Sequence, residues 1–153
     1  MGSPDVNQID GIGGAHPLRS EVAIVERSKD PGIDIDFLFA QVSVNEPLVD
    51  TTPNSGNILA AVVPFAIERG LVEACDGETT VGARTLNTGT FADLVAGTPG
   101  GIVQYQGETR IDGVPGTGAT IKIDFLNVAG SVCGSLLPTA CRRLVLITVC
   151  RAR

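Results

Sequence analysis

The segment of this sequence most suited to chemistry is Asn54–Asn57 (NSGN), which directly precedes an apolar stretch, Ile58–Arg69. Asn57 is a good helix N-cap and Gly70 a good C-cap, so we predict a helix over 58–69. Free backbone amides at a helix start attract anions, and a glycine there lets a ligand approach closely. The segment therefore suggests a carboxylate site. The alternative is a capped turn without a ligand, since every helix start offers such amides.

Two further positions near the N-terminus carry suitable residue types. The loop Asp10–Gly14 (DGIGG) offers the amides of Gly13 and Gly14 to an anion, but it lacks the G-x-G-x-x-G pattern of dinucleotide sites. A plain turn is the alternative there. Ser20 and Glu21 begin an apolar run, and a buried Glu21 would be able to act as a base. The alternative for Glu21 is a solvated charge at a strand edge.

The charge balance restricts the classes of partner. The 153 residues include 11 Lys and Arg against 17 Asp and Glu, giving a net charge of −6 and a pI of about 4.6. Binding to nucleic acid needs a basic face, so we expect no nucleic-acid partner. A hydrophobic content of 43% with only 18% charged residues excludes disorder and a coiled coil. A small anionic substrate stays compatible, because a pocket can differ locally from the whole molecule.

The cysteines and the one histidine do not form a metal-ligand pattern. The four cysteines include no C-x-x-C pair, and His16 has no second histidine, so we expect no metal and a surface or structural role for His16. Residues 1–15 are polar and Gly-rich, unlike a signal peptide. Leu144–Val149 is far shorter than the roughly 20 apolar residues that span a bilayer. We therefore expect a reduced, cytoplasmic protein without a membrane segment.

Strand-like runs separated by Gly and Pro surround the predicted helix. The helix is apolar on every side up to Glu68, so we expect it to be buried, with a kink at Pro64. The fold class that follows is α+β, a curled and mostly antiparallel sheet around one buried apolar helix. The predicted strands are Glu21–Glu26, Asp36–Val44, Pro47–Asp50, Thr79–Leu86, Thr90–Val95, Ile102–Tyr105, Thr109–Asp112 and Thr120–Leu126.

Several blocks of the sequence, in order, resemble the PrpF family. They are GSPDVNQIDGIGGAHPL, VAIV, DFLFAQV, NSGNILAAVVPFAIERGLV, RIDGVPGTGA and AGSVCGSLLPT, which ends at Thr139. The family includes 2-methylaconitate cis–trans isomerases, 4-oxalomesaconate tautomerases and related aconitate or methylitaconate Δ-isomerases. The resemblance implies cofactor-free chemistry and the fold of diaminopimelate epimerase. In that fold two similar domains each wrap a curled sheet around a central helix, and the active site lies between them.

The resemblance also implies roles for individual residues. The family's lysine, which looks like an acid/base group, corresponds to Glu21 here, and the cysteine of its N-C-G-N helix start corresponds to Ser55. These are the expected catalytic positions. The implied substrate is a small unsaturated di- or tricarboxylate, isomerised by removing a proton beside an activating group and returning it elsewhere. The expected substrate-binding positions are Gly13, Gly14, Ser20, Asn54, Gly56 and Asn57.

Both ends of the sequence differ from the family pattern. We interpret residues 1–139 as a partial N-terminal PrpF-like domain without its opening strand, and residues 140–153 as a divergent basic tail in place of a second domain. With Glu21 for lysine and Ser55 for cysteine, the alternative to an isomerase is an inactive remnant or a carboxylate-binding module. The sheet edge left by the missing strand predicts self-association.

Overall fold

The computed structural model describes residues 16–17, 20–112 and 115–126, together with the backbone of a strand at 144–150. These residues form an α+β fold, as the sequence predicts. No helix among them is long and apolar enough to cross a membrane. The elements in chain order are β1 Glu21–Arg27, β2 Ile35–Val42, β3 Val49–Asp50, α1 Gly56–Leu59, α2 Val62–Glu68, β4 Gly77–Thr85, β5 Thr90–Thr98, β6 Ala119–Leu126 and β7 Leu144–Cys150.

The described strands join in one mostly antiparallel sheet in the order β1-β2-β4-β5-β6-β7, and β3 also pairs with β2. The exception is a short parallel pairing, in which Ile35–Phe37 of β2 lies beside Ala83–Thr85 of β4. Parallel strands need a crossover connection. Here the crossover between β2 and β4 contains β3 and both helices, and it places α2 against β1 and β5.

One face of the sheet is apolar because the strands alternate inward and outward residues. In β5, Ala92, Leu94 and Ala96 are buried, whereas the residues between them are partly exposed. The buried faces of the two helices cover this side of the sheet, which we call the inner face. The most completely buried large side chains of this core are Ile35, Phe37, Leu59, Val62, Val63, Val81, Leu94, Ile121 and Ile123.

The predicted single helix is two short helices, and only part of its surface is buried. Pro64 lacks the N–H that would bond to the carbonyl of Ala60, and its ring clashes with that carbonyl. The chain accordingly breaks at Ala60 and Ala61, so the interruption lies one turn before the proline. Phe65 is 42% exposed. Burial on every side was therefore a wrong expectation, because the open sheet covers one face of the helices.

The helix caps are partly as predicted. The N-cap of α1 is Ser55, whose Oγ accepts a hydrogen bond from the Ile58 amide, so the expectation that Asn57 caps the helix was wrong. At the other end Gly70 has a φ of 67°, and the Leu71 amide donates to the Ala66 carbonyl at 2.8 Å. This is the glycine-terminated end that the sequence predicts, since a left-handed residue is least costly as glycine.

Two of the predicted strands do not form. The run 102–105 is irregular, and Thr109 makes only an isolated bridge to Gly118. The stretches are too short, and Gly and Pro lie too close on both sides, for a continuous ladder. Part of the predicted basic tail, by contrast, forms β7, which pairs antiparallel with β6.

The beginning of β2 carries a network of charges on the outer face of the sheet. Arg84 binds both carboxylate oxygens of Asp36, with Nε 2.8 Å and Nη2 3.0 Å away, and its Nη1 contacts Asp30. These bonds lower the pKa of the Asp36 carboxyl below its ordinary value of 3.8, and the carboxylates raise the pKa of Arg84. The charges at this end of the sheet therefore satisfy one another.

Candidate functional site

Strand β1 and the helices lie side by side and point the same way. Ala23 and Val25 of β1 pack against the core. Arg27, at the end of the same row, donates from Nε to the Leu71 carbonyl at 2.9 Å, just after α2. The end of β1 thus lies at the end of the helical segment.

The start of β1 therefore lies at the start of α1. From Glu21 to Arg27 the strand spans roughly 20 Å, and from Gly56 to Gly70 the helical segment spans roughly 21 Å. Helix α1 also packs against β1. Glu21 belongs to the inward row of β1, so it lies on the face of the sheet that the helices cover, toward the end at which α1 begins.

Glu21 is the first member of a polar row that crosses three strands. Its register partner on β2 is Gln41, whose partner on β3 is Asp50. Paired residues on antiparallel strands point to the same side of a sheet. The row therefore continues the apolar inner face at the end where α1 begins, and it sets the two carboxylates roughly 10 Å apart.

Gln41 holds the chain that leads into β1. Its Nε2 donates to the carbonyls of Pro17 at 2.8 Å and Ser20 at 3.1 Å. The Ser20 hydroxyl donates to the His16 carbonyl at 3.0 Å, and the residue is 0% exposed. Ser20 thus lies beneath the surface and shapes the turn before Glu21. Within the described part of the chain, the Glu21 carboxylate makes no hydrogen bond or ion pair of its own.

The segment Asn54–Asn57 presents fewer open amides than the sequence suggests. The Ser55 amide donates to Oδ1 of Asn54 at 2.9 Å, and the Ile58 amide donates to Oγ of Ser55 at 3.5 Å. The amides of Gly56 and Asn57 remain directed at the open end of α1. Because α1 has only four residues, its dipole contributes little to anion binding.

Asp50 shapes the link between β3 and this helix start. Its Oδ1 accepts from the Thr52 amide at 2.8 Å and from the Thr52 hydroxyl at 2.7 Å. Both bonds favour the ionised form, so they lower the pKa of the Asp50 carboxyl. Asp50 is therefore a fixed negative charge beside Gln41 at neutral pH.

A cleft of about 450 Å³ opens beside the polar row. Its volume lies within the range of about 300–1,000 Å³ that is usual for small-molecule sites. Its walls are mostly apolar, and Gln41 and Asp50 of the polar row are among its polar lining residues, whereas Glu21 and Ser55 are not part of the lining given by the described residues. The cleft is lined by Pro17, Gln41, Val42, Ser43, Val44, Asn45, Leu48 and Asp50.

The residues that the sequence indicates lie as follows. Asn54, Ser55, Gly56 and Asn57 are consecutive at the start of α1, and Glu21 begins the strand against which α1 packs, whereas Gly13 and Gly14 lie outside the described residues. Among the described side chains no group of His, Cys, Asp and Glu has the arrangement of a metal site.

Sequence reasoning missed Gln41 and Asp50. A signal for Gln41 was present, because it continues the alternation of Ile35, Phe37 and Phe39 and so places a polar group on the buried face. Asp50 gave no such signal, since its partner in the row depends on how β3 pairs with β2.

Comparison with known proteins gives this arrangement a context. Residues 1–146 match the family model described as PrpF protein. The chain is 55% identical to putative isomerase YbhH of Escherichia coli (strain K12) and 57% identical to (4E)-oxalomesaconate Delta-isomerase of Novosphingobium sp. (strain KA1), each over 139 residues. These matches cover 91% of this chain and 40% and 39% of the two relatives.

A solved structure, the crystal structure of methylitaconate-delta-isomerase, superposes with a TM-score of 0.84 at 45% identity. It matches 91% of this chain and 36% of that chain. The present chain therefore spans less than half the length of the relatives it matches. Since the family model covers residues 1–146 of the 153, the chain belongs to the PrpF family.

Proposed function

We propose that this chain forms part of a cofactor-independent isomerase or tautomerase site for small unsaturated di- or tricarboxylates. The observation that carries the proposal is the packing of α1, whose N-cap is Ser55, against β1, which begins at Glu21, together with a cleft lined by the neighbouring Gln41 and Asp50. Relatives named oxalomesaconate Delta-isomerase, oxalomesaconate tautomerase and 3-methylitaconate isomerase support this substrate class.

The proposed reaction is a proton transfer between two carbons of an unsaturated acid. A base removes a proton from a carbon next to the double bond, and the electron pair moves into the system conjugated with a carboxylate. The double bond shifts or rotates, and the proton returns to a carbon of the same system. We assign the proton transfer to Glu21, and the amides of Gly56 and Asn57, with the Asn54 side chain, to the substrate carboxylate. Gly13 and Gly14 belong to the same proposal as residues that surround the substrate. Ser20, which is 0% exposed, would act on the substrate only through the turn that it holds before Glu21.

A second candidate is a carboxylate-binding module without turnover. Glu21 and Asp50 put two carboxylates in the polar row, and the family's lysine is absent from it. A substrate carboxylate held about 4 Å from the Glu21 carboxylate would be repelled by about 4 kcal/mol at an effective dielectric of 20. That repulsion weakens the binding of a polyanion, so binding would depend on the amides of Gly56 and Asn57. Without the lysine, no cation at this position steadies the charge formed during proton transfer. An inactive remnant of the family would show this pattern of substitution.

The two candidates differ in what happens to substrate protons. The full 153-residue chain is incubated with cis-aconitate in D₂O, and proton NMR follows deuterium incorporation and the formation of an isomer. Incorporation that falls at least 100-fold in both Glu21→Gln and Ser55→Ala supports the isomerase. The matched control is Glu26→Gln, which removes an exposed carboxylate from the outward row of the same strand and is expected to change nothing.

Binding without proton exchange would support the second candidate. It would be seen as shifts of the Gly56 and Asn57 amide signals on titration with cis-aconitate while the substrate spectrum stays unchanged. A chain that neither binds cis-aconitate nor exchanges its protons would overturn both candidates.

A further inference from the structure

The strongest side-chain cluster outside the catalytic positions is centred on Asn87, in the turn between β4 and β5. Its Oδ1 accepts from the Phe39 amide at 2.8 Å, and its Nδ2 donates to the Phe39 carbonyl at 2.8 Å and to the Thr51 carbonyl at 2.6 Å. One carboxamide thus uses its acceptor and both of its donor hydrogens on the backbone of two segments that lie 48 and 36 residues earlier.

The first contact completes the sheet where β4 leaves β2. The parallel ladder between these strands ends at Phe37 and Thr85, and the Leu86 amide makes the last backbone bond to the Phe37 carbonyl at 2.8 Å. At Phe39, two residues further along β2, the Asn87 side chain takes the place of a neighbouring strand. Phe39 pairs with Ala23 of β1, two residues before the pair that contains Glu21.

The second contact fixes the connection into the helix. Thr51 lies between Asp50, which ends β3, and the segment Asn54–Asn57. The neighbouring Asp50–Thr52 turn orders only local atoms. Among the side-chain hydrogen bonds of the described residues, the one from Asn87 joins this connection to the body of the sheet. The Asn87 carboxamide therefore binds both parts of the candidate site. One part is the strand pair that carries Glu21, and the other is the connection that carries Ser55.

We propose that Asn87 is a positioning residue that sets the placement of the Ser55 segment relative to Glu21. This inference rests on the proposed function, because it assigns a purpose to the spacing of those two positions. Asn87 touches neither of them, so it acts through Phe39 and Thr51.

The test compares three variants of the full chain with cis-aconitate as the probe. Asn87→Ala removes all three bonds, and Asn87→Asp keeps an acceptor for the Phe39 amide but loses both donors. Thr79→Val is the matched control, because it breaks the buried 2.7 Å hydroxyl pair with Thr98 at the other end of β4 and lowers stability without reaching Thr51. Each variant is characterised by its melting temperature, by amide hydrogen exchange over residues 51–57, and by titration and turnover of cis-aconitate.

We expect both Asn87 variants to weaken cis-aconitate binding, or to lower its turnover rate constant, at least tenfold. Exchange over residues 51–57 is expected to rise in both. Thr79→Val should lower the melting temperature and leave binding, turnover and exchange of that segment unchanged. Because Asn87→Asp retains an acceptor for the Phe39 amide, an equal loss in the two Asn87 variants would assign the effect to the donors, which reach the carbonyls of Phe39 and Thr51.

Failure of this inference can be told apart from failure of the proposed function. If the unaltered chain neither binds nor converts cis-aconitate, the proposed function fails, and exchange over residues 51–57 still decides the role of Asn87. The inference is overturned if Asn87→Ala leaves that exchange unchanged. It is also overturned if Thr79→Val, at a matched loss of melting temperature, impairs binding as much as Asn87→Ala.

Discussion

The two ends of β2 differ in whether the charged groups around them form ion pairs. At the beginning of the strand, Asp36 and Asp30 surround Arg84, and the pKa of the Asp36 carboxyl falls because its charge is bound. At the far end, Glu21 and Asp50 flank Gln41 beside an open cleft, and the described residues give Glu21 no ionic partner. Paired charges stabilise a fold, whereas an uncompensated carboxylate at a cleft marks a place where chemistry or binding is expected.

Both ends of β2 depend on the core that the helices cover. The largest effect on stability should therefore follow from a substitution on the buried face of the helices. Leu59 is 0% exposed and packs in the core. We expect Leu59→Ala to lower the free energy of unfolding by about 2–5 kcal/mol, because it removes buried methyl groups and leaves a cavity. Urea denaturation followed by circular dichroism measures this loss.

The matched control for this prediction is Ala61→Ser, at an exposed position of the same helical segment. Its effect should stay within about 0.5 kcal/mol. Equal losses in the two variants would contradict the one-sided burial of the helices.

Reversing the charge of Glu21 should show how strongly this end of β2 affects ligand binding. Glu21→Lys replaces a repulsive charge by an attractive one, so we expect the affinity for cis-aconitate to rise at least tenfold, equivalent to about 1.4 kcal/mol. Isothermal titration calorimetry at low and high salt measures the gain, which should shrink as salt screens the new charge.

Glu26→Lys makes the same charge change on the outward row, near the beginning of β2, where Glu26 pairs with Asp36. Little change in affinity is expected from it. A gain as large as that of Glu21→Lys would mean that net charge, rather than position, governs binding.

The ion pair between Arg84 and Asp36, at the beginning of β2, should contribute less to the stability of the fold in acid. Arg84 lowers the pKa of the Asp36 carboxyl, so its folded-state pKa lies below the ordinary 3.8. The contribution is therefore complete above about pH 4 and is lost as the pH falls through the lower folded-state value. Melting temperatures measured from pH 6 to pH 2 should decline more steeply below pH 4 for the unaltered chain than for Asp36→Asn. Parallel declines would show that the network does not couple to folding.

The smallest of these effects concerns the end of α2. Gly70 has a φ of 67°, and a Cβ built on it meets no atom within 4 Å, so a substitution there is opposed by the backbone alone. Gly70→Ala should cost about 1 kcal/mol of unfolding free energy. Gly70→Asn should cost less, since asparagine tolerates this conformation better. Denaturation of both variants gives the comparison, and equal costs would argue against a conformational origin.

The sequence predicts regular elements well where periodicity and local chemistry agree. Strand β1 and the glycine at the end of α2 were both found close to where they were expected. Details that depend on the whole fold were not accessible. The sequence of the helix is apolar on every side up to Glu68, and the exposure of Phe65 follows only from the open sheet, which covers one face of the helices.

The candidate site could likewise be predicted only in part from the sequence. The family resemblance names Glu21 and Ser55, and in the structure Glu21 begins the strand against which α1, capped by Ser55, packs. Asn87 is different, because an asparagine before Thr88-Gly89 indicates a turn and nothing more. Its contacts reach 36 and 48 residues back along the chain, and such long-range bonds leave no trace in local composition.

The contact between Arg27 and the Leu71 carbonyl has a consequence for the opposite end of its strand. A slip of β1 by two residues against β2 would keep the inward row facing inward, so the alternation of side chains alone does not forbid it. Such a slip would carry Glu21 roughly 7 Å away from Gln41. It would also pull the guanidinium off the carbonyl that it reaches after α2. Arg27, roughly 20 Å away at the other end of β1, therefore helps to keep Glu21 in register with Gln41.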